Sequence, residues 1–425
     1  MKLSRSGFLA ALGAAGATAG AARAEAALPP WYPLPPPLKP KLPTRALVLS
    51  GAGARGAYEA GALKWLYKDI DTQGIPYDVI CGTSAGAINS AFAARATAES
   101  ISQAEQLWLS MPQANVLQLV PPAQHAMDAG EAFRESSEHG FPAKLKYLSR
   151  ANRELKAMGS KEDLAKVMGV VSSDGINGLV KKYPFTLTEM KTGLVITATN
   201  MTRFSSDAFY HFVGPKADAQ TQHFNARLKV SAEGSDDTVA QPSNRRFRLT
   251  QDNLVKAVLA SAAVPGVFQP VEVPVTETGA ADLYVDGGVA NNTPVSTAAI
   301  AGATDITVLI ASSPDEGREK QPTTMPGLLE ASFAVIQREL LEDDLRLALA
   351  KNLLSRYRDY RGLSAQTVAF LDSIRATDWE PIKLRIIRPA TVMKLTAMGF
   401  NDAADLQAAF DLGYNDAQNP TVYSL

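Results

Sequence analysis

The stretch Val-Ile-Cys-Gly-Thr-Ser-Ala-Gly-Ala-Ile-Asn, residues 79–89, decides how this chain is expected to fold. A short apolar run stops at Gly82, and a pattern of small residues typical of a helix follows Gly86. A Gly-x-Ser-x-Gly motif between a strand and a helix is a nucleophile elbow, a tight turn that strains the backbone of its serine. A Cβ atom on either glycine would collide with the adjoining strand or helix. The motif predicts that Ser84 is a nucleophile at a sheet edge, facing the positive end of a helix dipole.

A second glycine-rich turn, Gly-Ala-Gly-Ala-Arg-Gly, lies upstream at residues 51–56. The apolar residues 45–49 before it predict a buried strand, and a helical pattern follows it. The same spacing occurs in dinucleotide-binding sites, which require an acidic residue at the end of the next strand. Here Asp78 precedes that strand, and no Gly-Lys-[Ser/Thr] follows the loop, so dinucleotide and Walker-type phosphate sites are both disfavoured. The amides of such a loop can instead stabilise the oxyanion of an acyl-transfer intermediate.

None of the histidines lies where a serine triad of this type needs one, late in the chain. The four histidines are His125, His139, His211 and His223. Their surroundings are typical of structural or surface residues. A candidate partner for Ser84 is Asp286, which follows a predicted strand at residues 283–285 and precedes two glycines. An aspartate in this position can bring its carboxylate close to a neighbouring strand end.

The first 24 residues have the composition of a secretory signal peptide. They contain three basic residues and no acidic residue, residues 8–22 are apolar, and Ala22-Arg23-Ala24 fits a cleavage site. The apolar part is too short to span a membrane. Residues 25–43 are rich in proline and predict an extended linker before a folded domain at residues 44–420. We therefore expect an exported protein, periplasmic or secreted, by a general or a twin-arginine route.

The composition excludes several function classes. A formal net charge of −1 over 425 residues gives no reason to expect nucleic-acid binding. The single cysteine, Cys81, cannot form an intrachain disulfide, and its place in a predicted strand indicates a small core residue. No cluster of histidine, cysteine and acidic residues has metal-ligand spacing, so we expect no metal and no cofactor.

The motifs at residues 51–56, 82–86 and 286–288 together resemble those of the patatin-like phospholipase family, in the same order. Shorter similar stretches lie at residues 197–200, 260–270 and 413–417. The resemblance extends over about residues 44–420, with insertions at about 112–190 and 214–246 that look longer than the family core. One departure is Ala52, where many members have glycine; this matters little if the backbone amide of that residue is used.

The resemblance implies a three-layer α/β/α fold with a mostly parallel central sheet and helical insertions. It implies a bacterial, secreted lipid acyl hydrolase of phospholipase A, lysophospholipase or esterase type, in which Ser84 attacks the ester and Asp286 is the general base. The implied oxyanion donors are the amides of Gly51, Ala52, Gly53 and Ala85. The glycines of the motifs are Gly56, Gly82, Gly86, Gly287 and Gly288.

An aspartate with its ordinary pKa near 3.9 is a weak base for a serine hydroxyl, so such a dyad needs strong oxyanion stabilisation. Arg55 is expected to brace the glycine loop, with contact to a lipid head group as the alternative. The implied partner is a lipid or acyl-ester substrate, with peripheral membrane contact. The alternative function is a non-catalytic secreted scaffold that binds lipid or a partner, which the intact Ser84 and Asp286 disfavour.

Three further segments bear on the approach of a lipid. The apolar residues 116–122 are either a lid or a piece of core beneath the insertion. Residues 142–158 predict a basic helix, suited to anionic lipid or simply to solvent. Residues 328–354 have apolar residues at helical spacing and are predicted to pack over the sheet.

Overall fold

The computed structural model describes most of the predicted domain. The described residues are 44–316, with gaps at 115, 139–142, 160–167, 173, 185, 216, 230–244 and 276–279, individual residues between 331 and 366, and residues 381–423. The predicted signal peptide (1–24) and proline-rich linker (25–43) lie outside the described residues, as does His139.

The β-strands are short and mostly apolar, which is typical of strands buried on both faces. The described strands are β1 (Thr44–Leu49), β2 (Val79–Thr83), β3 (Gly169–Val171), β4 (Gly193–Asn200), β5 (Ser205–His211), β6 (Arg246–Arg248), β7 (Gly266–Phe268), β8 (Val271–Pro274), β9 (Ala281–Val285), β10 (Ala303–Leu309), β11 (Lys383–Ile387) and β12 (Thr421–Tyr423).

All but two of these strands form one sheet, in the order β12-β11-β10-β1-β2-β4-β5-β6. The neighbours from β11 to β4 are parallel, whereas β12 and β5 run antiparallel to β11 and β4. Strand β9 pairs with the end of β4 and with β8, and β3 pairs with β7 in a separate small sheet. The first strand, β1, thus lies at the centre of the sheet, and later strands lie on both sides of it.

The helices flank this sheet. The described helices are α1 (Gly56–Leu66), α2 (Ile70–Gln73), α3 (Ala85–Arg95), α4 (Ala98–Leu109), α5 (Pro121–Glu138), α6 (Ala143–Ala157), α7 (Asp174–Lys182), α8 (Ala217–Lys229), α9 (Gln251–Ser261), α10 (Val295–Ile300) and α11 (Ala403–Asp416). None of them is long and apolar enough to cross a membrane.

Successive residues of the central strand β1 belong to two different buried clusters. Leu47 and Leu49 pack in a cluster with residues of α1, α3, α4, α9 and α11. Ala46 and Val48 pack in the other cluster, with residues of α10 and with the helical residue Leu341. Because side chains alternate between the two faces of a strand, both faces are covered by helices. This arrangement confirms the predicted three-layer α/β/α fold with a mostly parallel central sheet.

Helices α1 and α11 approach each other closely because each contributes a glycine at the contact. A Cβ atom on Gly61 would overlap the carbonyl oxygen of Phe410, and one on Gly413 would overlap the carbonyl oxygen of Tyr58. The close approach is reinforced at its end by Tyr58, whose hydroxyl donates a hydrogen bond to Asp416 at 2.9 Å. The packing fixes α1 and therefore the glycine loop that leads into it.

In the region predicted as an insertion, 112–190, the described residues form the helices α5, α6 and α7 and the short strand β3. Val116 is fully buried, and Leu119 bridges to Val171 of β3, so the described part of the 116–122 segment packs as core. Helix α6 lies against α5, where Arg150 forms ion pairs with Glu131 and Glu135. Most of residues 328–354, predicted to pack over the sheet, lie outside the described residues; the described Leu341 and Ala348 are buried in the cluster that contains Ala46 and Val48.

We predict that Gly61→Ala lowers the free energy of unfolding by about 1–3 kcal/mol, because the added methyl group overpacks the backbone contact between α1 and α11. The matched control is Gly178→Ala in α7, where an added Cβ meets nothing within 4 Å. That variant should be neutral or more stable by up to about 1 kcal/mol, because alanine is the better helix former. Urea unfolding of both variants measures the difference; equal stabilities would contradict the close-packing argument.

Candidate active site

The site lies at the edge of the sheet where β1, β2 and β4 end. Strand β1 pairs with β2 on one side and with β10 on the other, and the chain reaches these two neighbours by separate connections. The carboxyl ends of parallel strands at such a reversal of strand order form a crevice that commonly holds the functional residues of α/β proteins. The glycine loop follows β1, and Ser84 follows β2.

Ser84 occupies a backbone conformation that few non-glycine residues adopt. Its φ is 56° and its ψ is −124°, and it stands immediately before the first residue of α3. A Cβ atom on Gly86 would overlap the carbonyl oxygen of Leu49, and one on Gly82 would overlap that of Gly86. These two glycines therefore let the start of α3 lie directly against the end of β1.

Two hydrogen bonds in series hold the strained turn. The amide of Ser84 donates to Ser261 Oγ at 2.8 Å, and Ser261 Oγ donates to the carbonyl oxygen of Thr197 at 2.6 Å. Ser261 is the last residue of α9 and is fully buried. The side chain of Thr83 adds a contact to Thr197 Oγ1 at 2.5 Å and a hydrogen bond to the Asn291 carbonyl at 2.9 Å.

Asp286 follows β9 and is buried, with 3% of its surface exposed. Its amide donates to the Ala263 carbonyl at 2.8 Å, and its own carbonyl accepts from Thr199 Oγ1 at 2.9 Å. Its Oδ1 accepts from the amide of Gly288 at 2.7 Å. No described residue makes a hydrogen bond of standard geometry to its Oδ2. One carboxylate oxygen is thus fixed by the backbone.

Burial raises the pKa of Asp286 to about 6. The Ser84 hydroxyl and the Gly288 amide lie close enough to oppose that rise, and each lowers the pKa in part. The unshifted pKa assumed from the sequence therefore does not describe this carboxyl group. A base with a pKa near the working pH combines a useful ionised fraction with stronger basicity than an exposed aspartate.

The glycine loop lies directly beside Ser84. The amide of Gly51 donates to the Asn292 carbonyl at 3.0 Å. No backbone carbonyl among the described residues accepts from the amides of Ala52 and Gly53, which precede the first turn of a helical segment, or from that of Ala85. Ala52, Gly53 and Ala85 therefore retain donors for an anion, whereas Gly51 uses its amide to hold the loop in place.

The loop is fastened on its outer side by Arg55. Its guanidinium donates to the Leu395 carbonyl at 2.8 Å and forms an ion pair with Glu316 at 2.5 Å. The amide of Ala54 donates to the Ala397 carbonyl at 2.7 Å, and Gly53 has a φ of 58° against the same carbonyl. Only 11% of the Arg55 side chain is exposed. This geometry favours the bracing interpretation of Arg55 over contact with a head group.

The remaining motif glycines permit close contacts. A Cβ atom on Gly56 would overlap the ring of Trp108, and one on Gly287 would overlap the carbonyl oxygen of Thr197. Gly288 supplies the amide bound by Asp286. Gly56 therefore lets Trp108 pack against the end of the glycine loop. Gly287 lets the turn after Asp286 lie against β4.

A buried polar network anchors the strand that leads to Asp286. Asn200 Nδ2 donates to Asp207 at 2.7 Å, to Asp282 at 2.9 Å and to the Tyr284 hydroxyl at 3.0 Å. The Tyr284 hydroxyl donates to Asp207 at 2.8 Å. Arg203 Nε donates to Asp282 at 2.7 Å. The ends of β4, β5 and β9 are thereby tied together two residues before Asp286.

A second buried group, Glu59, lies between the glycine loop and the nucleophile helix. Glu59 is fully buried and accepts a hydrogen bond from Asn89 Nδ2 at 3.0 Å; the same nitrogen donates to the Gly56 carbonyl at 3.0 Å. Burial raises the pKa of Glu59 well above its usual value, and the nearby Asn89 and Ser50 oppose that rise. Glu59 and Asn89 therefore connect α1 to α3 through a buried hydrogen bond.

The described residues contain one group with metal-ligand spacing, away from this site. Ligand atoms of His125, Asp128 and Glu154 lie within 4.8 Å of one another, on α5 and α6. His125 Nδ1 and Glu154 form a hydrogen-bonded pair at 2.9 Å, which accounts for their proximity. The sequence did not reveal this group because its members lie on two helices, 29 residues apart. His211 is partly exposed at the end of β5 and distant in sequence from the motifs.

Access to the dyad is narrow. Ser84 has 5% of its surface exposed. A cleft of about 540 Å³ that opens to solvent lies beside the glycine loop and is lined by Arg55, Asn292 and Arg388 among others, but it contains neither dyad residue. Little of Ser84 is therefore open to solvent in this structure.

Several positioning residues were not assigned from the sequence. Ser261 and Thr197 lie in stretches that were cited only for their resemblance to the family, and Asn292 lies just after the Asp286 motif. Their roles depend on contacts between segments 64 to 241 residues apart. Ser261 ends α9, Thr197 lies within β4 and Asn292 lies six residues after Asp286, so no local sequence pattern indicated their roles.

We predict that Asp286→Asn stabilises the protein in a pH-dependent way. The folded carboxyl group has a pKa of about 6, against 3.8 for an unperturbed aspartate. Wild-type stability therefore falls as the pH rises from about 4 to 6 and stays low above that. The amide keeps the shape and avoids a buried charge. The free energy of unfolding of the variant should exceed that of the wild type by about 3 kcal/mol at pH 8 and by little at pH 4. Unfolding at both pH values tests this; a gain independent of pH would contradict it.

A family model described as "Patatin-like phospholipase" matches residues 47–299, which is more than half of the chain. The match begins in β1 and includes the glycine loop, the elbow and Asp286. A comparison with curated protein sequences finds no match.

Two solved structures are similar to the chain. VipD from Legionella pneumophila is 13% identical, with a TM-score of 0.33, and the match covers 90% of this chain and 68% of VipD. A chain of the ExoU–SpcU complex from the type III secretion system of Pseudomonas aeruginosa is 18% identical, with a TM-score of 0.22; 79% of this chain and 58% of that one are covered. Because both sequence identities and both TM-scores are low, the family assignment rests on the match to the family model. The chain belongs to the patatin-like phospholipase family, and this membership supports a lipid hydrolase function.

Proposed function

We propose that this protein is a lipid acyl hydrolase, a serine carboxylic-ester hydrolase that uses a Ser84–Asp286 dyad through an acyl-serine intermediate. The observation that carries the proposal is the pairing of two unusual residues at one sheet edge. Ser84 is a non-glycine residue with φ 56°. Asp286 is a buried carboxyl group with one oxygen fixed by the Gly288 amide, and the Ser84 hydroxyl lies close enough to lower its pKa. Both features destabilise the fold, which is typical of functional residues.

In the first half-reaction, Asp286 accepts the hydroxyl proton of Ser84 as Ser84 Oγ bonds to the ester carbonyl carbon. The carbonyl electron pair moves to oxygen, and the amides of Ala52, Gly53 and Ala85 stabilise the resulting oxyanion. When this intermediate collapses, the ester C–O bond breaks. Asp286 returns its proton to the departing alkoxide, which leaves as an alcohol, and the acyl group remains on Ser84.

In the second half-reaction, water takes the place of the alcohol. Asp286 accepts one proton from the water as its oxygen attacks the acyl-serine carbonyl, and the same amides hold the second oxyanion. Collapse breaks the bond to Ser84 Oγ, which regains the proton from Asp286, and a carboxylic acid is released. Proton transfer in both directions by one carboxyl group fits the raised pKa of Asp286.

The oxyanion donors must supply much of the rate acceleration because the dyad lacks a histidine. Loss of one such donor in other acyl-transfer enzymes lowers the rate by about 10²–10³. Here the donors are backbone amides on a loop held by Arg55 and by the Gly51–Asn292 hydrogen bond. Their positions are fixed before substrate arrives, so little reorganisation is needed during the reaction.

We further propose that the protein acts after export, in the periplasm or outside the cell, on lipid or another acyl ester. The signal-like residues 1–24 support export, and family membership supports a lipid substrate. A non-catalytic lipid- or partner-binding scaffold is the competing function, and turnover experiments separate the two.

We predict that Ser84→Ala and Asp286→Asn each lower ester hydrolysis by at least about 10³-fold while the protein stays folded, since each removes a group that takes part in bond making or proton transfer. Hydrolysis of p-nitrophenyl esters of increasing chain length by residues 25–425 measures this. A fluorophosphonate reagent should label the wild type and not Ser84→Ala. Gly178→Ala, far from the site in sequence and open to an added Cβ, serves as the folded control. An active Asp286→Asn variant would exclude Asp286 as the base.

We predict that kcat/KM rises with pH and levels off above about pH 7. The reaction needs the ionised form of Asp286, and burial places its pKa at about 6. The rate should therefore fall about tenfold for each pH unit below 6. A soluble short-chain ester, measured at low substrate concentration from pH 4.5 to 8.5, tests the dependence. A profile that is flat between pH 5 and 7 would contradict the base assignment.

A further inference from the structure

The turn that joins β4 to β5, residues 201–204 (Met-Thr-Arg-Phe), is unusual in two respects. All four residues are exposed, and Phe204 has 84% of its surface in solvent, the largest exposure among the large apolar residues described. Phe204 also has a φ of 54°, in the left-handed region. Glycine or asparagine adopts that conformation far more readily than a bulky aromatic residue. The exposure of the phenyl ring and the positive φ of Phe204 are both energetically unfavourable.

The turn is held rigidly. The amide of Arg203 donates to Asn200 Oδ1 at 2.9 Å, and the amide of Met201 donates to the Leu283 carbonyl at 2.7 Å. Thr202 Oγ1 accepts from the amide of Leu283 at 2.9 Å. Because Asn200 belongs to the buried polar network, the exposed phenyl ring is presented on a fixed base. A preorganised surface of this kind loses little conformational entropy when it binds a partner.

The turn projects from the same sheet edge as the dyad. Strand β4 is parallel to β2, and Thr197 lies beside Thr83 in register. Residue 201 is therefore four residues beyond the level of the elbow, roughly 13 Å at the rise of a strand. Val289, three residues after Asp286, is also exposed at this edge. The apolar surface and the site thus face the same direction.

The chemistry of the turn fits the interface of a phospholipid bilayer. Exposed aromatic and apolar side chains enter the acyl boundary of a membrane, and an adjacent guanidinium remains among the head groups. Phe204 and Met201 supply the first kind of group, Arg203 supplies the second, and no acidic residue lies within the turn. Arg203 keeps a fixed position through its ion pair with Asp282.

We infer that the turn at residues 201–204 inserts into a phospholipid surface and places the edge that carries Ser84 against the membrane. This inference rests on the proposed lipid hydrolase function. The proposed binding partner of the turn is a lipid bilayer. A protein partner is the alternative, and the test below distinguishes the two. Insertion of Phe204 also gives a reason for its strained conformation, since an unstrained asparagine or glycine would provide no apolar group at the tip.

The test uses Phe204→Asn in residues 25–425, which include every described residue and omit the apolar part of the predicted signal peptide. Asparagine tolerates a positive φ, so this variant should keep or raise the melting temperature. Binding to phosphatidylcholine vesicles containing one fifth phosphatidylglycerol, measured by flotation, should fall about tenfold or more. Hydrolysis of vesicle phospholipid should fall in parallel, while hydrolysis of a soluble short-chain ester stays unchanged.

The matched control is Val422→Thr, an exposed apolar position on β12 at the opposite end of the sheet. It should bind vesicles like the wild type. The inference is overturned if wild-type protein does not bind vesicles, if Phe204→Asn binds them equally well, or if the control loses as much binding. Failure of the proposed function is a separate result, in which wild-type protein hydrolyses neither vesicle phospholipid nor the soluble ester.

Discussion

The rest of the site depends on the strained backbone of Ser84. A positive φ at a non-glycine residue costs about 1–3 kcal/mol, and the surrounding structure must enforce it. Here the hydrogen bonds from Ser84 to Ser261 and from Ser261 to Thr197 do so from the strand side. Gly82 and Gly86 help to enforce the positive φ of Ser84 because they allow α3 to begin directly against β1. Since β1 leads straight into the glycine loop, the same contact that strains the serine also sets the distance to the oxyanion donors.

Burial acts on the dyad in two opposite ways. It raises the pKa of Asp286, which makes the carboxylate a stronger base, but the ionised form then destabilises the fold. The buried network of Asn200, Asp207, Asp282 and Tyr284 fixes the strand that precedes Asp286. The position of Asp286 therefore depends on this network as well as on its own hydrogen bond with Gly288.

Much of the fold could be predicted because local pattern and global architecture agree. The apolar runs at residues 45–49 and 79–81 became β1 and β2, as predicted, because an uninterrupted apolar run is typical of a buried strand. The raised pKa of Asp286 could not be predicted, because it arises from burial by segments distant in the chain. The Ser261 relay, the engaged amide of Gly51 and the exposed turn at Phe204 were missed for the same reason. Each depends on where one loop meets another, which periodicity does not encode.

The position of β1 in the sheet has a consequence for how the domain can be held. Strand β1 is central and runs toward the elbow, so its first residue, Thr44, lies at the opposite edge, about 20 Å away at the rise of six strand residues. An attachment made directly at Thr44 therefore holds the domain from the side remote from Ser84. A domain immobilised at that residue would leave the edge that carries Ser84 facing outward.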